Sequence, residues 1–366
     1  MIKKERESGI ELAKIIAMFF IVISHIIMSV GYSTKLSLAT SDLKINILQF
    51  LQTICARGGN TIYFISSCWF LSKKATNKKQ KIIFIILDVW VISMLCFLPC
   101  LIMGIKLNGE QIIKEMFPTL FANNWYITCY IIFYLMYPYL NMIINNIKKS
   151  EHFYIALTLF LVYFILSFFK AGLLFNDDTL IFFISWYFII TYLERYEENR
   201  MNNKRINITL LIISIVSQFL FVLLINRLGL KLTIFENKAL YFNRNGNFLT
   251  LIFAISMSNL FRNYKKTNKI INEISSLSLL QYVIHENILF RSFIRPNIIK
   301  FYIIKYGEEK ILLIVLIVSI VLFVASGAIA FIYKHTIQKL TSKIANKIYE
   351  KLKDLKDEYS KKYLAN

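Results

Sequence analysis

Stretches of roughly 20 residues with almost no charge recur along the whole chain, and each is long enough to cross a bilayer as a helix. Residues 82–104 and 311–333 are examples, and neither alternates apolar with polar residues as the strands of a membrane barrel do. Hydrophobic residues form 57% of the chain, whereas soluble domains have about 45–50%. The sequence therefore predicts an all-α membrane protein.

About ten such segments predict about ten transmembrane helices. The second contains Arg-Gly-Gly-Asn at residues 57–60, which predicts a break or kink. The membrane domain would cover residues 1–333, and residues 334–366 would form a lysine-rich tail. That tail favours an amphipathic helix on the inner leaflet, with a solvated coiled coil as the alternative. The ten segments are residues 10–32, 45–71, 82–105, 124–144, 153–170, 179–193, 207–228, 247–261, 275–294 and 311–333.

Lysine and arginine set the predicted orientation. They concentrate at the amino terminus, in the loops after the second, fourth, sixth and eighth segments, and in the tail. This asymmetry predicts that both termini are cytoplasmic. The apolar segments themselves predict that membrane lipids surround the chain. The net charge of +21 does not indicate nucleic-acid binding, because no basic soluble domain exists to carry it.

The five cysteines indicate neither disulfides nor a metal site, so we expect no metal. All lie in apolar stretches, and no Cys-x-x-Cys pair occurs. Buried small hydrophobic residues are the simpler interpretation. The cysteines are Cys55, Cys68, Cys96, Cys100 and Cys129.

The first segment holds three ionisable residues, Glu11, Lys14 and His25, which helical periodicity places on one face. His25 lies roughly 16 Å beyond Lys14 along the helix axis. Ionisable groups within spans are functional candidates, and a histidine can act as a general base near neutral pH. A simple ion pair between Glu11 and Lys14, and a structural hydrogen bond from His25, are the alternatives.

The ninth segment holds a second cluster. Ser278, Tyr282 and His285 fall on one helical face, and Glu286 follows directly. Two intramembrane histidines with carboxylates indicate a proton-handling site, which an enzyme or a proton-coupled transporter could use. The remaining histidines, His152 and His335, fall in predicted loops and are expected at the surface.

Four segments of this sequence resemble the integral-membrane acyltransferase family 3. Residues 6–25 resemble its first helix, S-x-I-E-L-L-R-I-I-A-M with a histidine eleven residues after the arginine; here Lys14 replaces that arginine and His25 matches the histidine. Residues 63–71 resemble F-F-x-I-S-G-Y-F-L, with Cys68 at the usual glycine. Residues 125–141 resemble W-F-x-x-x-Y…Y-L-x-x-P-x-L-N, and residues 278–287 resemble S-x-x-x-Y-L-I-H-E-N. Lysine cannot form the bidentate fork of arginine, so a changed donor or weaker activity is expected.

The resemblance implies O-acylation of a bacterial glycan in the cytoplasmic membrane. Acyl-CoA, simplest as acetyl-CoA, would be the donor, with no permanently bound cofactor. The acceptor would be a cell-surface polysaccharide or its lipid-linked precursor, and polysaccharide-assembly proteins are expected partners. A lipid-linked oligosaccharide flippase or a proton-coupled transporter is the alternative, although no internal repeat is visible. The implied catalytic residues are His25, Lys14 and Glu11, and the implied substrate-binding residues are Ser67, Trp125, Tyr130, Tyr282, His285 and Glu286.

Overall fold

The computed structural model describes residues 7–29, 36–166 and 180–363, and within these ranges it contains helices and no strands. Parts of three predicted segments, residues 30–32, 167–170 and 179, and tail residues 364–366 lie outside that description. The helices are α1 Ser8–Met28, α2 Leu43–Leu71, α3 Lys79–Ile102, α4 Gly109–Met116, α5 Trp125–Asn146, α6 Lys149–Phe160, α7 Leu180–Tyr196, α8 Glu198–Asn202, α9 Lys204–Gly229, α10 Phe248–Arg262, α11 Lys269–Ser276, α12 Ser278–His285, α13 Arg295–Tyr306, α14 Ile311–His335 and α15 Gln338–Tyr363.

Six helical segments among the described residues are long and apolar enough to cross a membrane, which confirms an all-helical, multi-span architecture. The count of about ten spans stays a prediction. Helix α2 is long but rich in buried polar side chains, α7 and α10 have only 17 and 15 residues, and the ninth segment is broken. The six segments are Ser8–Met28, Lys79–Ile102, Trp125–Asn146, Lys149–Leu166, Lys204–Gly229 and Glu308–His335.

Helix α1 is the most enclosed of these six segments. Buried residues make up 61% of its apolar stretch, against 22–44% for the others. It packs against α2, α10, α11, α12 and α14, and its small residues Ala13 and Ala17 are fully buried. Small side chains let membrane helices approach closely, so side chains of α1 meet several neighbouring helices.

The predicted break at residues 57–60 is wrong, because α2 runs as one helix from Leu43 to Leu71. The two glycines serve packing instead. A Cβ atom on Gly58 would lie 2.9 Å from the ring of Phe253, and one on Gly59 would lie 2.8 Å from the carbonyl oxygen of Ala17. The absent side chains allow α2 to sit directly against α1 and α10.

The chain breaks in the ninth segment, where the sequence predicted one continuous helix over residues 275–294. Helix α11 ends at Ser276, α12 ends at His285, and a π-helical turn covers Phe290–Ile294 before α13 begins at Arg295. Interrupted helices are tolerated in a bilayer where they line a cavity or lie buried in protein. The break places His285 and Glu286 at a helix end that faces α1.

His152 and His335 differ in burial, and the lysine-rich tail packs back onto the bundle. His152 lies within α6 and is fully buried, with its Nε2 atom 3.0 Å from the carbonyl oxygen of Phe188, so its predicted surface position is wrong. His335 is exposed, as expected, but it ends α14 rather than lying in a loop. The tail forms α15, whose Thr341 hydroxyl donates to Asp88 on α3 at 2.7 Å.

Replacing Gly59 with alanine should destabilise the bundle. The added methyl group would collide with the Ala17 carbonyl oxygen and with Ile21 Cγ1, the latter at 2.9 Å. Overpacking of this kind costs about 1–3 kcal/mol. We expect a lower thermal unfolding midpoint for the detergent-solubilised protein. Gly109→Ala is the matched control, because its Cβ would meet no atom within 4 Å; equal midpoints for the two variants would contradict the packing role of Gly59.

Candidate active site

His25 and Glu286 meet at the centre of a four-residue polar cluster. The Nδ1 atom of His25 lies 2.9 Å from Glu286 Oε1 and 3.1 Å from His285 Nε2. The same Glu286 oxygen accepts a hydrogen bond from Arg295 Nη1 at 2.6 Å. Three separate elements, α1, the end of α12 and the start of α13, therefore bring their charged or polar groups to one point.

The hydrogen bonds define the proton positions on both imidazole rings. His285 Nδ1 lies 2.7 Å from the carbonyl oxygen of Gln281, which can only accept, so His285 Nδ1 carries the hydrogen. In its neutral form His285 then has an acceptor at Nε2. Because His25 Nδ1 faces that acceptor and the Glu286 carboxylate, it must be the donor. Neutral His25 therefore keeps an unprotonated Nε2, the atom that a general base or nucleophile requires.

Helix α12 is anchored so that His285 keeps its orientation. Gln281 Nε2 donates to the carbonyl oxygen of Phe323 at 2.7 Å and lies 3.2 Å from the Ser326 hydroxyl on α14. The ring of Tyr282 meets the His285 ring edge to face, with centroids 5.8 Å apart. The imidazole that contacts His25 is thus fixed by its own helix and by α14.

A cavity of about 440 Å³ opens beside His25, and we call it the His25 cavity. Glu286 and Trp125, two of the residues that the resemblance implied for substrate binding, line it. Its wall also contains polar side chains that sequence reasoning did not select as site residues: Gln52, Arg57, Asn60, Asn243 and Arg295. The sequence could have indicated Arg57 and Asn60 as site residues, because both are polar residues within an apolar segment. They were interpreted as a helix break instead.

Glu11 and Lys14 form a separate group nearer the amino-terminal end of α1. Lys14 Nζ donates to Glu11 Oε2 at 2.9 Å, and the Ser275 hydroxyl also donates to Glu11. The Lys14 ammonium lies 5.9 Å from the centre of the Tyr63 ring. Although they share a helical face with His25, these two residues do not line the His25 cavity.

A narrow neck lies between these two groups. It has a volume of about 10 Å³ and is lined by Met18, Asn60 and three tyrosine rings, Tyr63, Tyr126 and Tyr282. Ile21 and Asn60 line both the neck and the His25 cavity, so the two spaces adjoin. A volume this small holds at most about one water molecule.

The remaining predicted residues, Ser67 and Tyr130, hydrogen-bond to each other away from the His25 cavity. Tyr130 packs against Tyr134, with ring centroids 6.1 Å apart, and the Lys81 ammonium lies 6.0 Å from the Tyr130 ring. The structure therefore brings His25, His285, Glu286 and Trp125 together, places Tyr282 in the neck, and leaves Ser67 and Tyr130 outside both spaces.

The cluster also has the composition of a possible metal site. The ligand atoms of His25, His285 and Glu286 all lie within 4.8 Å of one another. Two histidines and a glutamate are ligands that zinc accepts. However, Glu286 Oε1 is already bonded to both His25 and Arg295, and a guanidinium beside a metal ligand opposes cation binding.

These features define a class of protein: an integral-membrane protein with a partly buried carboxylate–histidine pair at the edge of a polar cavity. The model of an acyltransferase domain family, acyltransferase family 3, matches residues 7–333. The chain belongs to this family, so it is a membrane acyltransferase. No curated protein and no solved structure gives a significant match.

We expect the purified protein to carry far less than one transition-metal ion per chain. The positive charge of Arg295 at 2.6 Å from Glu286 disfavours a second cation at the same oxygen. Elemental analysis by mass spectrometry of protein purified without chelator checks this. Stoichiometric zinc that is lost in His25→Ala would show that the cluster is a metal site instead.

Proposed function

We propose that the protein transfers an acyl group, most simply acetyl, from acyl-CoA to a hydroxyl of a cell-surface polysaccharide or its lipid-linked precursor. The observation that carries this proposal is the contact of His25 Nδ1 with Glu286 at 2.9 Å, beside a polar cavity in a chain of this family. That contact holds His25 in the tautomer whose Nε2 can accept a proton.

In the proposed reaction, His25 Nε2 removes the proton from the acceptor hydroxyl as its oxygen attacks the thioester carbonyl carbon. The carbon–sulfur bond then breaks, and the departing CoA sulfur receives the proton from His25. Glu286 stabilises the imidazolium that forms in between, as a carboxylate does in a catalytic triad. Arg295 holds the Glu286 carboxylate in place and in its ionised form.

A variant of this route makes His25 the acyl carrier. The imidazole Nε2 would then attack the thioester carbonyl carbon, and the carbon–sulfur bond would break to release CoA as the thiolate and leave an acylimidazolium beside Glu286. The acceptor hydroxyl would then attack the acyl carbon, the bond from that carbon to Nε2 would break, and the hydroxyl proton would pass to the thiolate. Both routes need the same neutral tautomer of His25. They differ in that only the second forms a covalent acyl-enzyme.

The donor would approach from the Lys14 end of α1. Lys14 lies roughly 16 Å from His25 along the helix, a distance comparable to an extended pantetheine arm. The arm would pass between Tyr63, Tyr126 and Tyr282, and because the neck that these rings line has only about 10 Å³, the rings would have to move apart to admit it. Lys14 would hold a phosphate or carbonyl of the donor, and Glu11 would orient Lys14.

The membrane orientation belongs to the same proposal. About ten spans with both termini in the cytoplasm of a bacterial cell would place the Lys14 end near the cytoplasm and the His25 cavity near the outer face. The donor would then arrive from inside and the glycan from outside. Polysaccharide-assembly proteins at the outer face are the expected partners.

Reporter fusions test this orientation. Fusions after residues 76 and 200 should report the cytoplasm, and fusions near residues 110 and 302 should report the outside, because lysine and arginine concentrate in the former loops. Alkaline phosphatase and green fluorescent protein are suitable paired reporters. A reversed pattern at two or more positions would contradict the orientation.

His25→Ala should reduce acyl transfer by about 10²-fold or more, because it removes the proposed base and general-base catalysis contributes about 10²–10⁴-fold. Lys14→Arg should retain or raise activity, since it keeps the charge and adds a bidentate fork. The measurement is glycan acyl content in membranes, normalised for inserted protein. A proton-coupled transporter would instead show a transport defect with His25→Ala.

His335→Ala is the matched control for His25→Ala. The His335 side chain is half exposed at the end of α14 and does not line the His25 cavity. The substitution therefore removes an imidazole without altering that cavity. We expect near wild-type acylation from this control. Near wild-type acylation by a correctly inserted His25→Ala protein would overturn the role of His25.

A further inference from the structure

We propose that Glu115, on the short helix α4, is a positioning residue for the candidate active site: it holds the turn that follows Glu286 and so keeps that carboxylate against His25. The inference rests on the proposed function, because it takes His25 as the reacting group and Glu286 as its partner. It adds a residue that lies in none of the four segments that resemble the family.

Glu115 is a carboxylate that the proposed reaction does not use. It is fully buried, although it belongs to an eight-residue helix, Gly109–Met116, outside the six candidate membrane spans. Burying a carboxylate is costly unless hydrogen bonds and charges compensate it. Burial raises the pKa of the Glu115 carboxyl, whereas the hydrogen bond from Asn123 and the charge of Arg291 lower it. Its neighbours therefore favour the ionised form.

Two asparagine side chains face the two carboxylate oxygens of Glu115. Asn123 Nδ2 donates to Oε1 at 2.8 Å, and Asn287 Nδ2 lies 3.4 Å from Oε2. The oxygen of each amide has a donor of its own, since Asn123 Oδ1 lies 3.5 Å from Arg291 Nη2 and Asn287 Oδ1 accepts from the Leu289 N–H group at 2.9 Å. The amide nitrogens are thus the atoms that face Glu115, and they require an acceptor there.

These bonds fix the chain immediately after Glu286. Asn287 and Ile288 are the next two residues, and both bond to Glu115, Asn287 through its side chain and Ile288 through its backbone. Because Glu286 stands between the end of α12 and this anchored turn, the anchor limits where its carboxylate can point. The Glu286 Oε1 atom lies 2.9 Å from His25 Nδ1.

The same carboxylate also connects two parts of the cavity wall. Asn123 stands two residues before Trp125, and Trp125 and Arg291 both line the His25 cavity. Glu115 itself does not line that cavity. It therefore acts through its neighbours, and its role is to position them rather than to contact a substrate.

Chemical modification of His25 tests the inference without any substrate. Diethyl pyrocarbonate reacts with an unprotonated imidazole nitrogen, and the His25 side chain is 21% exposed in a cavity of about 440 Å³. Peptide mass spectrometry of the detergent-solubilised full-length protein gives the rate at His25 at about pH 8, where an ordinary histidine is neutral. The rate at His335, which is half exposed, is measured in the same sample as an internal reference.

Glu115→Gln should slow modification of His25 about threefold or more relative to His335, because a carboxylate bonded to one imidazole nitrogen raises the reactivity of the other. The new amide keeps one oxygen acceptor but sets N–H hydrogens against the donor of one asparagine. Glu110→Gln is the matched control. Glu110 lies on the same helix, is exposed and pairs with Lys114, so its loss should leave the rate unchanged.

Asn287→Asp breaks the same link from the other side, and it replaces Glu115→Gln if that variant does not insert. It sets a second carboxylate against Glu115 while keeping an oxygen acceptor for the Leu289 N–H group. The double variant Glu115→Gln/Asn287→Asp reverses the direction of the hydrogen bond, so it should return the His25 rate to within about twofold of wild type. In a Glu286→Gln background, Glu115→Gln should slow His25 no further, because the carboxylate through which it acts is gone.

Equal His25 rates in Glu115→Gln and Glu110→Gln would overturn the inference. So would a double variant that stays slow, or an undiminished effect of Glu115→Gln in the Glu286→Gln background. These outcomes are independent of catalysis. A protein whose His25 rates follow the expectations but which transfers no acyl group from acetyl-CoA would contradict the proposed function and leave the positioning of Glu286 by Glu115 standing.

Discussion

The contact between His25 on α1 and Glu286 beyond the end of α12 is the interaction on which the arrangement of the site depends. An ionised carboxylate is costly in a buried setting unless it is paired and hydrogen-bonded. Arg295 and the His25 Nδ1–H group supply those partners at 2.6 and 2.9 Å. Since the three residues come from separate elements, satisfying the carboxylate also fixes the position of α12 and α13 against α1.

The break in the ninth segment sets the place of this pairing. Helix α12 ends at His285, and from this helix end His285 Nε2 and Glu286 Oε1 both reach His25 Nδ1. The chain beyond the break then returns Arg295 to the same carboxylate. The uninterrupted α2 complements this break, since Gly59 lets it lie against α1 and so brings Asn60 to both the neck and the cavity.

Sequence patterns predicted the helical class, and the family motifs named His25, His285, Glu286 and Trp125, which the structure brings together. They failed where tertiary packing decides the outcome. A Gly-Gly pair weakens a helix locally, yet close contact of α2 with Ala17 and Phe253 keeps it intact. Arg295 was not among the predicted site residues, because nothing in its local sequence shows that it turns back onto Glu286.

Periodicity also grouped Glu11 and Lys14 with His25, and the structure shows why sharing a helical face is not sharing a site. Glu11 and Lys14 lie nearer the amino-terminal end of α1 than His25 does, and the tyrosine-lined neck lies between this pair and His25. In the proposed reaction this separation has a chemical use. Two substrates that reach His25 from opposite ends need a barrier that opens for the acyl arm and otherwise holds little water, since water at the thioester would compete with the acceptor hydroxyl. In that proposal Tyr63, Tyr126 and Tyr282 form the barrier, because their rings line the neck between Lys14 and His25.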